Sequence, residues 1–378
     1  MIYHVEIAGK GGITQYTYNL VSHLKWLRPQ REIGIIAAKE YELENLPRSF
    51  RVFRLFNRFK TDPFKLLHFF IFKIKHRDIV HFQLSSFPPF VLGLIFLLKM
   101  FCRPAIIVTV HNVVSHESSF ADKITLKTIY HLADRLIVHA QQNKAELIRQ
   151  FSIPEDKVHV IPHGNYLFAQ EISPKKRKTV QKNRFELLFF GYIREYKGLD
   201  LLLHALKIVV DQNPRVLLHI VGKPHEDFTK YRQLIASLAL EPYLNLKLDY
   251  VPIDEVQTYF IRADVVVLPY KRISQSGVIF MAYAFGKPVI ATNVGGIPEV
   301  VEQNKSGILI PAQNKQALAE AILKLMQNPE LAKKMGARAL ELSRTKYSWQ
   351  AIARKTWKLY DSLSDNPALN RHATKIPS

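Results

Sequence analysis

Short, nearly continuous apolar runs alternate with longer segments of helical periodicity along most of the chain. Such runs are typical of parallel strands whose sheet is covered by helices on both faces. The predicted strands are 3–8, 33–38, 78–82, 106–110, 135–138 and 158–161 in the first half, and 186–190, 216–221, 245–249, 264–268, 288–292 and 308–310 in the second. The sequence therefore predicts an α/β fold with two doubly wound parallel sheets.

The segment 171–184 interrupts this alternation, because it contains Pro174 and six basic residues and has little apolar content. Such a segment is typical of an exposed linker between domains. The predicted organisation is a first domain at 1–170, the basic linker at 171–184, a second domain at 185–345, a C-terminal helix at 346–364 and a tail at 365–378. Because ligands of open parallel sheets bind beyond the carboxyl ends of the strands, we expect a site in a cleft between the two domains.

The net charge of +21 favours an anionic partner. Much of it lies in the stretch 48–77, where arginines and lysines interleave with phenylalanines and Asp62 is the only acidic residue. This stretch predicts a surface that docks on anionic lipid headgroups. The alternative is a solvated basic face whose phenylalanines pack inward. RNA is not an expected partner, because no nucleic-acid-binding module occurs.

The expected location is the cytoplasm, peripherally on the inner face of the plasma membrane. The chain opens without the features of a signal peptide, and its most apolar stretch, 91–101, falls short of the ~20 residues of a membrane-spanning helix. The single cysteine, Cys102, cannot form an internal disulfide. It lies in an apolar run and is expected in the core.

Three strand-end loops of the first half contain candidate site residues. The loop Gly9-Lys10-Gly11-Gly12 precedes a helix, so its backbone N–H groups and the helix dipole could bind an anion, although a tight turn explains it equally well. His111 follows the strand at 106–110, where it could contact a sugar or a phosphate. His163 follows the strand at 158–161 and is either a substrate contact or part of the loop architecture.

The second half contains the strongest candidate, the loop 191–198 between a strand and a helix. Its Arg194 and Lys197 could neutralise a diphosphate, Arg194 through bidentate contacts and Lys197 as a compact charge. The segments 274–277 (Ser-Gln-Ser-Gly) and 295–299 (Gly-Gly-Ile-Pro-Glu) again present backbone donors and hydroxyls. No zinc spacing, phosphate loop or Asp-x-Asp pair occurs, so no metal or other cofactor is expected.

Taken in order, these loops resemble the retaining GT-B glycosyltransferases, called glycosyltransferase group 1 or family 4. The matching elements are Gly11-Gly12, His111, Pro162-His163-Gly164, Lys197-Gly198, Gly286-Lys287-Pro288-Val289 and Gly295-Gly296-Ile297-Pro298-Glu299. The resemblance implies two Rossmann-like domains, a nucleotide-sugar donor bound mainly by the second, a metal-independent reaction and a last helix that crosses back to the first domain.

The resemblance also implies roles for individual residues. Arg194 and Lys197 would hold the donor diphosphate and stabilise the departing nucleotide, and His111 would contact the donor sugar. The remaining donor contacts would be Gly12, Val251, Ser276, Gly277 and Glu299, with the nucleobase near 250–252, and Gly11 and His163 would contact the acceptor or shape its loop. The expected reaction is transfer of a hexose from UDP or GDP, with retention, to a glycan acceptor, lipid-linked, in bacterial surface polysaccharide synthesis.

Two departures from the family pattern leave alternatives open. The Glu-x7-Glu signature is absent, since its positions hold Ile273 and Met281 or Ser274 and Ala282, and the arginine of the loop stands two positions late. The sequence resembles instead a subgroup with a Gln-Ser-Gly element. The alternatives are a non-catalytic partner subunit that binds membrane and another transferase, and a nucleotide-sugar epimerase, which would need a carboxylate base.

Overall fold

The computed structural model describes residues 1–43, 48–56, 63–84, 87–113, 119–169 and 183–364. The chain divides into two compact units. One contains Met1–Gly164 together with the chain from Trp349 onward, and the other contains Asn165–Ser348. The predicted linker, except for its last two residues, and the predicted tail at 365–378 lie outside the described residues.

The sheet of the first unit has seven parallel strands in the order β3-β2-β1-β4-β5-β6-β7. The strands are β1 (Ile2–Val5), β2 (Ile33–Ala38), β3 (Arg51–Phe56), β4 (Ile79–Leu84), β5 (Ala105–Val110), β6 (Arg135–Val138) and β7 (Val158–Val160). The helices are α1 (Gly12–Leu27), α2 (Pro63–His68, continued by a π-turn at Phe69–Lys73), α3 (Pro88–Phe101), α4 (Phe120–Leu132) and α5 (Gln141–Phe151). Separate hydrophobic clusters form the core of this unit, one around α3 and α4 and one around α1.

The sheet of the second unit has six parallel strands in the order β10-β9-β8-β11-β12-β13. The strands are β8 (Phe185–Phe190), β9 (Val216–Val221), β10 (Leu244–Lys247), β11 (Val265–Leu268), β12 (Val289–Thr292) and β13 (Gly307–Ile310). The helices are α6 (Leu199–Gln212), α7 (Thr229–Ser237), α8 (Ile253–Arg262), α9 (Gly277–Ala284), α10 (Lys315–Gln327) and α11 (Pro329–Arg344). The predicted fold class, two doubly wound parallel sheets, is confirmed.

The last helix, α12 (Trp349–Ser364), belongs to the first unit and packs along α1. Arg28 makes a bidentate pair with Asp361, with both N–O distances 2.7 Å, and its guanidinium stacks 4.3 Å above the Trp357 ring. The Trp357 indole N–H donates to the carbonyl oxygen of Leu24 at 3.2 Å. Planar guanidinium groups favour both kinds of contact, which fix the helix against α1.

One strand was missed by the sequence analysis. β3 lies at the edge of its sheet within the basic stretch 48–77, and its arginines Arg51 and Arg54 are exposed. Edge strands often contain charged side chains, so β3 lacks the continuous apolar run that identified the central strands. Over the described residues, no helix combines the length and the apolar character needed to cross a bilayer.

Candidate functional site

The loops at the carboxyl ends of β8 and β11 approach each other closely. After β8, a short 3-10 turn at Glu195–Lys197 leads to Gly198, the N-cap of α6. Gly198 has a φ of +70°, and a Cβ there would lie 2.0 Å from the carbonyl oxygen of Pro269, which follows β11. Since only glycine tolerates both this backbone conformation and this approach, Gly198 allows the two loops to meet.

The ammonium group of Lys197 is buried in this region, with only 7% of the residue exposed. Its Nζ lies 3.5 Å from the carbonyl oxygen of Phe190 and 5.8 Å from the centroid of the Tyr270 ring. Among the described residues, no carboxylate lies within ion-pairing distance of it. Burial, and secondly the charge of Arg194, lower the pKa of Lys197 to about 8. A buried cation without a protein anion favours the binding of an anionic ligand.

The first turn of α9 lies beside Lys197. A Cβ placed on Gly191 would be 3.0 Å from Lys197 Nζ and 3.8 Å from the side chain of Val278, in that turn. The first N–H groups of a helix have no partner within the helix and carry a partial positive charge. A buried ammonium and a helix N-terminus therefore face the same small region, an arrangement suited to phosphate.

Ser276 and Gly277, both predicted from the sequence, lie at this N-terminus. Ser276 is buried, and its hydroxyl is 3.2 Å from that of Tyr270, the residue whose ring also approaches Lys197. Gly277 is the first residue of α9, and a Cβ there would lie 3.0 Å from the hydroxyl of Tyr166. The structure thus brings the predicted residues 276 and 277 together with Lys197.

Arg194 is half-buried and adjoins His225, Tyr192 and Tyr250, of which the sequence analysis placed only Tyr250 near the donor. Its guanidinium donates to Nδ1 of His225 at 3.3 Å. The Tyr192 ring packs edge-on against His225 with a centroid distance of 4.7 Å, and the Tyr250 ring lies 6.3 Å from that of Tyr192. Both tyrosines are exposed. His225 and Tyr250 follow β9 and β10, so only the order of strands in the sheet reveals that they adjoin the β8 loop.

Val251 and Glu299 occupy different surroundings. The Val251 side chain packs in the core, so only its backbone can contact a ligand. Glu299 is exposed at the end of a 3-10 turn, and its carbonyl oxygen accepts from Lys346 Nζ at 3.5 Å. Of the positions where the glutamate signature is missing, Met281 and Ala282 are buried within α9, and Ile273 and Ser274 are half-buried before it.

Two carboxylates of the protein accept hydrogen bonds from backbone N–H groups in the glycine-rich loop of the first unit. Glu6 is fully buried at the end of β1 and accepts from the Gly9 N–H at 3.1 Å, and burial raises its pKa to about 7. The Gly11 N–H donates to Glu42 at 2.7 Å. Gly12 is the first residue of α1, whose initial N–H groups lack helical partners. Of the two predicted glycines, Gly12 is therefore the better placed to meet a ligand.

Both ring nitrogens of His111 are engaged inside the first unit. Nδ1 lies 3.2 Å from Nε2 of His139, and Nε2 lies 3.0 Å from the amide of Gln83. His163 is buried, and its Nδ1 donates to the carbonyl oxygen of Gly164 at 2.6 Å. The predicted histidines therefore lie at the carboxyl edge of the sheet, where their nitrogens bond to the protein itself.

Three buried histidines, His4, His81 and His139, lie in the same unit and were not singled out from the sequence, and His139 contacts His111 directly. Burial lowers the pKa of His4 to about 3 and that of His139 to about 4, and the pKa values of His81 and His111 also fall well below the usual range. The rings are therefore neutral near pH 7. Over the described residues, no three His, Cys, Asp or Glu side chains are arranged to hold a metal ion.

An apolar groove of about 720 Å³ lies between α2 and α3 on the first unit. Large side chains at its rim and beside it are exposed, including Phe72 at 68% and Met100 at 63%. Of the other phenylalanines in the stretch 48–77, Phe50, Phe53, Phe56, Phe69 and Phe70 are buried or half-buried, and Arg58, Phe59 and Lys60 lie outside the described residues. The exposed apolar surface is thus supplied mainly by α3, with the exposed cations Lys65 and Lys73 on the adjoining segment.

Two protein-family models match successive parts of the chain. Residues 10–165 match a model described as Glycosyltransferase Family 4, and residues 171–342 match one described as Glycosyl transferases group 1. The D-inositol 3-phosphate glycosyltransferase of Corynebacterium glutamicum is 27% identical over 294 residues, which are 71% of this chain and 69% of that protein. The D-inositol 3-phosphate glycosyltransferase of Streptomyces bingchenggensis is 29% identical over 243 residues, which are 60% of this chain and 52% of that protein.

Solved structures resemble the whole chain in fold. A glycosyltransferase from Rickettsia africae superposes with a TM-score of 0.75 at 22% identity, covering 97% of this chain and 98% of its own. The Anabaena protein HepE, solved in complex with UDP-glucose, gives a TM-score of 0.75 at 20% identity and covers 96% of this chain and 99% of its own. At these identities the likeness shows a shared architecture.

Proposed function

Since the chain belongs to the glycosyltransferases of group 1 and family 4, we propose that it transfers a hexose from a UDP- or GDP-linked donor, with retention, to a glycan acceptor in bacterial surface polysaccharide synthesis. The observation that carries the donor assignment is the buried ammonium of Lys197, which has no protein carboxylate beside it among the described residues. Capsule, exopolysaccharide and lipopolysaccharide assembly are the pathways that use such a reaction.

Lys197 supplies the charge that a departing nucleoside diphosphate requires. An ammonium removed from water is unfavourable unless an anion compensates it, and a diphosphate would provide that anion. When the bond between sugar and phosphate breaks, negative charge grows on the leaving group, so a buried fixed cation stabilises the transition state more than the ground state. The first turn of α9, with Ser276 and Gly277, adds backbone donors to the same phosphate group.

Arg194 and the aromatic residues near it would hold the rest of the nucleotide. The guanidinium can contact phosphate in a bidentate manner if its hydrogen bond to His225 is exchanged. The exposed ring of Tyr250 supports the placement of the nucleobase near 250–252, because bases stack on aromatic faces. Together Arg194 and Lys197 can balance the charge of a diphosphate, so the proposal requires no metal or other cofactor. The donor contacts of Gly12, His111 and Glu299, and the acceptor contacts of Gly11 and His163, stay predictions.

The function is tested by incubating the protein with UDP- and GDP-hexoses and an acceptor extract. We expect release of nucleoside diphosphate that depends on the acceptor, and a product whose anomeric proton coupling matches that of the donor. Product of opposite anomeric configuration would refute retention. Absence of both saturable donor binding and nucleotide release would refute the transferase proposal and would leave the partner-subunit alternative.

We also propose that the acceptor is lipid-linked and that the first unit docks on the anionic inner face of the plasma membrane. The exposed apolar side chains of α3 and the adjoining basic residues support this proposal, because apolar insertion and headgroup attraction add to each other. The contiguous groove also exceeds the scattered apolar exposure that is normal for a surface.

Membrane docking is tested by sedimentation with vesicles of phosphatidylglycerol and phosphatidylcholine. Replacing both Phe96 and Met100 by serine should weaken partition into the mixed vesicles about tenfold or more, because two exposed apolar side chains no longer insert. The control is Trp26→Ser, since Trp26 is exposed on α1, which packs in the other core cluster. Equal losses in both variants, or no binding by the wild type, would contradict the proposed surface.

A further inference from the structure

A continuous series of polar side chains, buried except for the half-buried His111, crosses the carboxyl half of the first sheet and ends at His111 and His139. Its contacts pass from strand to strand, because β1, β4, β5 and β6 are neighbours in the sheet. The N–O and N–N distances range from 2.6 to 3.5 Å. In order, the members are Thr109, His81, Tyr360, His4, Gln83, His111, His139 and the carbonyl group of Ile161.

The carbonyl oxygen of Ile161 determines which atom donates and which accepts in each hydrogen bond of this series. Nδ1 of His139 lies 2.9 Å from it. A carbonyl can only accept, so His139 must carry its proton on Nδ1. A neutral imidazole has a single N–H, and Nε2 of His139 therefore accepts from Nδ1 of His111 at 3.2 Å. His111 is thus protonated on Nδ1, and its Nε2 is left as an acceptor.

The amide of Gln83 must then present its NH2 group to Nε2 of His111. In the structure the amide oxygen lies 3.0 Å from Nε2 of His111, and the amide nitrogen lies 3.5 Å from Nδ1 of His4. The C=O and NH2 groups of a side-chain amide have nearly the same shape, so a 180° rotation of the amide exchanges them without moving their neighbours. After that exchange, the amide oxygen accepts from Nδ1 of His4.

The remaining links follow the same direction. Nε2 of His4 accepts from the Tyr360 hydroxyl at 3.1 Å, which in turn accepts from Nδ1 of His81 at 2.6 Å. Nε2 of His81 accepts from the Thr109 hydroxyl at 2.7 Å. Every histidine in the series then has one proton, on Nδ1, and every contact joins one donor to one acceptor.

The opposite direction fails at a single point. It would leave the lone pairs of His139 Nδ1 and the Ile161 carbonyl facing each other at 2.9 Å, or it would require a charged imidazolium. Burial opposes a charge here, as the lowered pKa values of His111 and His139 indicate. A neutral series in one direction satisfies all the buried groups.

We propose that Gln83 and His139 are positioning residues that hold the ring of His111 as the neutral Nδ1–H tautomer. If His111 contacts substrate in the proposed transfer, the consequence is that it does so as an uncharged ring in one fixed orientation, and not as a proton donor from either nitrogen. Because β1, β4, β5 and α12 all contribute members, the orientation depends on the assembled unit.

Long-range ¹H–¹⁵N NMR of the full chain labelled with [¹⁵N]histidine tests the proposal without donor or acceptor. Protonated and unprotonated ring nitrogens resonate far apart, and single His→Gln variants assign the signals. We expect His4, His81, His111 and His139 all to show a protonated Nδ1 and an unprotonated Nε2. An Nε2–H tautomer or a doubly protonated ring at His111 near pH 7 would overturn the proposal.

The variant Gln83→Glu adds a second readout. A carboxylate can only accept, so Nε2 of His111 should gain a proton and its signal should move to the protonated region. The control is His131→Gln, which removes an exposed histidine on α4 and should leave the four signals unchanged. In the transfer assay, Gln83→Glu should lower kcat about tenfold to a hundredfold with little change in the KM for donor. An unchanged His111 signal in Gln83→Glu would refute the role of Gln83, whatever the protein's activity.

Discussion

Replacing Lys197 by methionine should lower kcat/KM for the donor by about 10²–10³-fold, the loss typical when one preorganised group that stabilises developing charge is removed. Methionine has a similar length and suits a buried site, so the fold should persist. The assay is acceptor-dependent release of nucleoside diphosphate. Lys207→Met is the matched control, because Lys207 lies on α6, the helix that follows this loop, and 40% of its side chain is exposed. A rate for Lys197→Met within a few fold of the control would refute the diphosphate role.

The pH dependence of donor binding gives an independent test of the same residue. Burial lowers the pKa of Lys197 to about 8, and a bound diphosphate should raise it again because an anion favours the ammonium form. Binding should therefore be strongest below pH 8 and weaken as the pH rises through 8. If only the charged form binds, affinity falls about fourfold between pH 7 and pH 8.5.

Lys197→Arg is the control for that titration. Arginine stays charged over this range, so its affinity for the donor should be independent of pH, whatever its absolute value. Isothermal titration with UDP-hexose at several pH values measures both proteins. The same decline in the arginine variant would show that another group titrates and would contradict the assignment to Lys197.

Replacing Gly198 by alanine should destabilise the protein by about 2–5 kcal/mol, from a strained left-handed backbone and from overpacking. The φ of Gly198 is +70°, and the added Cβ would lie 2.0 Å from the carbonyl oxygen of Pro269. The loops after β8 and β11 would have to separate, which would also displace Lys197 from Tyr270. The shift in the midpoint of urea unfolding measures the loss of stability.

Gly286→Ala separates the two causes in that experiment. Gly286 lies in the same unit and has a similar φ of +64°, but the nearest atom to its added Cβ is 3.5 Å away. This variant should lose only the backbone contribution, about 1–2 kcal/mol. Equal losses for the two variants would show that the approach to Pro269 does not limit the loop.

The central strands of both sheets were predictable because burial on two faces requires continuous apolar runs. The edge strand β3 lacks such a run, since Arg51 and Arg54 face solvent. The local sequence pattern was likewise insufficient for the basic stretch 48–77, which contains β3. Its charge was evident from composition, whereas most of the exposed apolar surface belongs to α3, whose long apolar run gave no indication of which side remains uncovered.

The sequence by itself determined the two α/β units and the importance of the loop that contains Arg194 and Lys197, because strand periodicity and strand-end motifs are local properties. Tertiary structure alone decided that the Lys197 ammonium is buried beside α9, that Tyr250 adjoins Tyr192, and that His111 is held by Gln83 and His139. Those contacts join residues 28 to 81 positions apart in the chain. They exist only because parallel strands bring distant loops to the same edge of a sheet, and strand order cannot be read from the periodicity of any one strand.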